Sequence, residues 1–259
     1  MTGSAGVMAL VLGQTVAGSA ALLWITPLWN EVRRGYFKLS GAIVAVLSFA
    51  WWRSAASGAI VGSDAGSWTV RLAAATTVIT LLWTLLLFAR QASFARLVGY
   101  ASVPVAAAGL AAMAGMSRQS EAVALFQMVA GAAFLGSVLD GLLLGHWYLT
   151  DRGLSRAPID RYTAILLGSV VAEVLAVITA GFGGVGSSND INPLLTAGAL
   201  APWIALGMVG TTALIAVLVK LTLKGQRKSA VQSATGFFYL AVVTAFTAEI
   251  AVKVRFLPR

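Results

Sequence analysis

Eight apolar runs, separated by short charged or glycine-rich stretches, dominate this chain and restrict what it can fold into. A helix rises about 1.5 Å per residue, so about 20 apolar residues cross the roughly 30 Å hydrocarbon layer of a bilayer. In that layer each backbone N–H and C=O must find a partner within its own segment, which selects helices. The spans are expected near 6–29, 39–61, 68–89, 97–115, 122–149, 162–182, 194–219 and 234–253. Only 10 % of the 259 residues are charged, against about 25 % in soluble domains. The expected fold is therefore all-α, a polytopic transmembrane helix bundle of about eight spans forming one domain over 1–259. The first run is too long for a signal-peptide core and lacks a basic start, so it reads as a retained span.

Basic residues set the expected orientation. Twelve of the eighteen Lys and Arg fall in loops on one side: Arg33, Arg34, Lys38, Arg90, Arg96, Arg152, Arg156, Arg161, Lys220, Lys224, Arg227 and Lys228. Four fall on the other, Arg118, Lys253, Arg255 and Arg259, with Arg53 and Arg71 near that boundary. The richer side is expected to be cytoplasmic, with both termini outside, in a bacterial inner membrane. The net charge of +9 then serves topology and anionic lipid rather than nucleic acid, because no basic domain stands clear of the membrane.

The chain has no cysteine and a single histidine, His146. That composition excludes disulfides, iron–sulfur clusters and a haem held by two histidines of this chain. It offers no metal-ligating set, and no Walker loop, HExxH or GxSxG motif is present, so no catalytic residue is assigned. Pro104, Pro193 and Pro202 fall in or at the start of spans, with a kink expected at Pro202. Gly141 and Gly145 form a GxxxG that reads as bundle packing. Trp51, Trp52 and Arg53 read as an interface anchor that ends the second span early.

Three acids fall inside spans, where an ionised group costs about 2.5–3.5 kcal/mol on insertion scales: Asp140, Glu173 and Glu249. Asp140 and Glu173 sit at similar expected depths on consecutive helices and are read as neighbours on a proton path. Their helical phase turns both toward protein, since Gly136, Asp140 and Trp147 share one face and Tyr162, Ser169 and Glu173 another. Glu249 precedes Lys253 by four residues, the favourable order for an ion pair, with Arg53 or Arg71 as alternative partners.

The densest polar–aromatic cluster ends the fifth span. There His146, Trp147, Tyr148, Asp151 and Arg152 supply donors and an aromatic slot of the kind a quinone requires. Gln232, Gly236 and Tyr239 of the last span share a face expected beside it. The stretches GHWYLTDRGLSR and QSATGFFYL resemble motifs of uncharacterised bacterial multi-span proteins associated with respiratory redox gene sets. The resemblance implies a membrane subunit that meets quinone.

The expected function is a non-catalytic membrane subunit that anchors a bacterial respiratory or electron-transfer complex. Its expected partners are the bilayer and other subunits, with quinone as the cofactor. The alternative is a secondary transporter or channel for a small solute or ion, which requires a water-filled cavity reaching Asp140 and Glu173.

Overall fold

The computed structural model describes residues 1–29, 31–60, 62–117, 119–151, 153–181, 200–225, 229–254 and 256. Among the sequence features, Arg118, Arg152, Arg227, Lys228, Arg255, Arg259 and the 182–193 loop with Pro193 lie outside the described residues.

The described residues form eight helices long and apolar enough to cross a membrane. They are α1 (Gly3–Ile25), α2 (Arg34–Gly58), α3 (Asp64–Phe88), α4 (Ala92–Ala114), α5 (Glu121–Thr150), α6 (Ala157–Ala180), α7 (Leu200–Leu223) and α8 (Ser229–Lys253), and a 3-10 turn, Thr26–Trp29, extends α1. The all-α multi-pass architecture read from the apolar runs is thus present. Large apolar side chains such as Val46, Phe49, Val78, Leu85, Leu97, Val171, Leu214 and Val243 are exposed on the outer helices, as lipid contact demands.

Helix packing divides the bundle into two rings of four. α1 packs on α2, α2 on α3, α3 on α4 and α4 back on α1; α5, α6, α7 and α8 close a second ring in the same order. The rings meet where α1 lies along α5. That seam is backbone against backbone: a Cβ on Gly18 would fall 1.8 Å from the Ala132 carbonyl oxygen, and one on Gly136 would fall 2.5 Å from the Gly18 carbonyl carbon. Small residues let two helices approach this closely where lipid supplies no hydrophobic drive. With neighbours on most sides, α1 is apolar all round its circumference and nearly all buried.

Hydroxyl pairs link antiparallel neighbours inside each ring: Ser48 to Thr80 at 2.8 Å, Ser137 to Ser169 at 3.0 Å and Thr212 to Thr244 at 2.7 Å. Most of these hydroxyls also donate to a carbonyl three or four residues back, so burial leaves them satisfied. Gly141 and Gly145 are used within the chain, since a Cβ would meet the Phe238 ring at 2.3 Å and Thr235 Oγ1 at 2.6 Å.

One local expectation needs correction. The second span does not stop at the tryptophans: α2 runs on to Gly58, and Trp51 is wholly buried in space left by Gly13 and Gly109. An indole that reads as an interface anchor is a core knob here, because the glycines accepting it lie on α1 and α4. Pro202 lies near the start of the described part of α7, and the residues before Leu200, on which a kink there depends, lie outside the described residues. Pro104 does lie inside a helix, α4.

Candidate functional site

Helix register puts the three buried acids at two depths. Ser137 faces Ser169 across the antiparallel α5–α6 pair. Asp140 lies three residues from Ser137 toward the basic end, and Glu173 lies four residues from Ser169 toward the opposite end. Seven residues of helix separate the two acids by about 10 Å along the bundle axis. The expected Asp140–Glu173 neighbour pair is therefore not formed; the hydroxyl pair stands between them.

Glu173 has a different acidic neighbour, Glu249 of α8, with Lys253 beside both. The Glu249 carboxylate lies 3.3 Å from the Lys253 ammonium, and neither side chain has any exposed surface. The ion pair expected from their spacing is formed, in preference to Arg53 or Arg71. Lys253 Nζ also donates to the Gln127 carbonyl at 3.4 Å, and Gln14 Nε2 donates to that carbonyl and to Met128 O at 3.2 and 3.3 Å. Gln127 Nε2 continues to Gln119 Oε1 at 2.7 Å, reaching the end of the bundle that carries the termini. Gly131 makes the space: a Cβ there would fall 2.0 Å from Gln14 Nε2 and 2.5 Å from Glu249 Oε1. The cluster thus draws on α1, α5, α6 and α8. The ammonium pairs with Glu249, while both oxygens of the neighbouring Glu173 lack a hydrogen-bond partner. In a low-dielectric interior two acids beside one base leave one carboxyl without a charge partner.

Asp140, fully buried, belongs to a second cluster nearer the basic end. Ser19 is the hydroxyl beside its carboxyl, and Tyr36 donates to its backbone carbonyl at 3.5 Å. Tyr36 OH lies 3.3 Å from Tyr162 OH, which lies 2.6 Å from Thr26 Oγ1. From Thr26 to Gln119 the buried polar groups form a file: Tyr162, Tyr36, Asp140, the Ser137–Ser169 pair, Glu173, Glu249 with Lys253, then Gln127. Asp140 and Glu173 have no water-accessible surface.

The described residues of the quinone group, His146, Trp147, Tyr148 and Asp151, point in separate directions, because successive helical positions turn by about 100°. His146 is exposed, with Nδ1 3.4 Å from Tyr239 OH of α8. Trp147 packs on Gly35 at the start of α2, where a Cβ would come within 2.2 Å of its ring. Tyr148 donates to the Ser155 carbonyl, and Asp151 pairs with Arg33 Nε at 3.3 Å. Among the described residues, these four side chains contact separate partners. Gln232, Gly236 and Tyr239 share an exposed face rather than a cavity.

Trp147 and Asp151 instead belong to a clasp between the two rings. Its other arm is Glu31, which accepts from Ser155 Oγ at 2.5 Å and pairs with Arg161 at 2.6 Å. Those hydrogen bonds, first Ser155 and then Arg161, hold the Glu31 carboxyl below the usual range. Sequence reasoning passed over Glu31, and it passed over Gln14, the one amide inside an otherwise apolar first span. It placed Lys253 among loop residues. A lone amide in hydrocarbon was the available signal for the first cluster. Nothing in spacing announces the clasp, since its members are far apart in the chain. Compared with known proteins, the chain matches no family model, no curated protein and no solved structure.

Proposed function

We propose that this chain is a proton-handling subunit of a membrane complex, its basic loops facing the bacterial cytoplasm and both termini outside. The observation that carries the reading is the buried trio Glu173, Glu249 and Lys253, two acids on one base, continued by a polar file that includes Asp140. Ionisable side chains at such depth are costly and mark ion or proton pathways. Ser137 and Asp140, and Ser169 and Glu173, are about one helical turn apart, roughly 5–6 Å, and a single water entering each gap would complete the hydrogen bonds.

With one histidine and no cysteine the chain lacks its own redox-centre ligands, which favours work beside an electron-transfer partner. Asp140 and Glu173 have no water-accessible surface, which weighs against an open solute pathway. Quinone contact narrows to His146 with Tyr239, a donor pair on the lipid-facing side of α5 and α8.

The test is proton flux into liposomes carrying the natively purified protein, read with a trapped pH dye. The native complex is expected to pass protons, and Glu173→Gln to slow them at least about ten-fold, the size of a lost acid–base step, with assembly intact. Equal flux in Glu173→Gln and the parent would remove the proposal. A lone monomer that passes protons without a partner would move the reading to the transporter class.

A further inference from the structure

A cleft of about 400 Å³ opens among α1, α2, α3 and α4 at the basic end of the first ring, away from the buried acids. Its wall is aromatic. Trp24 stacks on Tyr100 with centroids 3.8 Å apart and lies 6.3 Å from Trp83, while Phe37 and Leu87 complete the apolar surface. Gly99 admits the Trp24 ring, which a Cβ there would meet at 2.3 Å. The rim is open toward the outside of the bundle, where Leu28 and Tyr100 are exposed.

Two arginines of the cleft, Arg34 and Arg96, are not paired with a carboxylate among the described residues. Arg34 Nη2 donates to the Leu87 carbonyl at 2.9 Å, in the last turn of α3, and this bond fixes the guanidinium. Arg34 Nε is buried without a hydrogen-bond partner. A guanidinium held in place by one such bond keeps further Nη N–H groups for a phosphate, which accepts two parallel bonds.

We propose that this cleft binds an anionic phospholipid, with its phosphate on Arg34 and Arg96 and the first part of an acyl chain along Trp24, Trp83 and Phe37. Charge and shape argue together for lipid. A small soluble anion would leave the aromatic wall unfilled, and a zwitterionic lipid would bring a cation of its own beside the two guanidinium groups. Depth agrees as well, because the cleft lies at helix ends, where aromatic belts and head groups meet.

Native mass spectrometry of the full chain, released from micelles doped with phosphatidylglycerol or phosphatidylcholine, tests this. The parent is expected to retain one phosphatidylglycerol that phosphatidylcholine does not replace. Arg34→Gln with Arg96→Gln is expected to retain it about thirty-fold less, while Arg53→Gln with Lys224→Gln, which removes the same charge elsewhere, retains it as the parent does. Should the double variant misfold, Arg96→Gln alone, at an exposed position, is expected to show a partial loss. Equal retention of the two lipids, or equal behaviour of the cleft and control variants, would overturn the proposal. So would displacement of the lipid by millimolar inorganic phosphate, which would assign the arginines to a soluble anion.

Discussion

Lys253 is the last residue of α8, yet its side chain reaches no solvent, because Glu249, the Gln127 carbonyl and the Phe256 ring surround its ammonium. Lys253→Met leaves Glu249 charged and unpaired in the interior and is expected to cost about 3–5 kcal/mol, whereas Glu249→Leu with Lys253→Met is expected to recover most of that loss. Unfolding titrations in a fixed mixed micelle would measure both, and a double variant no better than the single would exclude the pairing. Glu31 allows a prediction in pH. Its folded pKa lies below the ordinary carboxylate value of about 4.3. The stabilisation is therefore present above that ordinary value and is lost as pH falls through the lowered one. Glu31→Gln is expected to flatten the acid limb of melting temperature against pH below about pH 5, and an unchanged limb would show that the clasp contributes nothing. Of these residues the sequence made Glu173 and Glu249 legible, since an acid in hydrocarbon is conspicuous. Lys253 was obscured by its place beside the polar end of the chain. Basic residues there normally belong to a loop, and only the packing of α5 against α8 closes over it.

At the scale of elements, the α1–α5 seam depends on the absence of side chains. Gly18→Ala or Gly136→Ala puts a methyl group against backbone that cannot move aside alone, so each is expected to destabilise by about 1–3 kcal/mol or more. Gly168→Ala and Gly210→Ala meet nothing within 4 Å and are expected to be neutral or to gain up to about 1 kcal/mol from helix propensity. Melting of the four variants side by side measures this, and a tolerant Gly18 would mean the helices separate there. The number of spans and most of their limits were readable, because apolar length maps directly onto bilayer thickness. Which helices pair was not readable. An all-round apolar α1 carries no face to orient it, and the glycines that locate it become meaningful only opposite their partners on α5. Trp51 is the clearest case: the same residue type anchors interfaces or fills cores, and the decision lies with Gly13 and Gly109 on other helices.

For the whole molecule, the missing cysteines are an experimental convenience, since any introduced thiol is unique. Lys224→Cys, in a basic loop, is expected to react with an impermeant maleimide only after intact cells are opened, and Ser117→Cys, at the other end, before; the reverse pattern would invert the proposed orientation. The two rings are linked at the basic end by charge, through the clasp of Glu31, Arg33, Asp151 and Arg161, and farther along the seam by the neutral amide of Gln14, which donates to the Gln127 and Met128 carbonyls. Between them lies the bare contact of Gly18 with Gly136, already at van der Waals limit. Backbone already in contact cannot be squeezed closer, so this seam sets the spacing at which the links on both faces of the bilayer have to form.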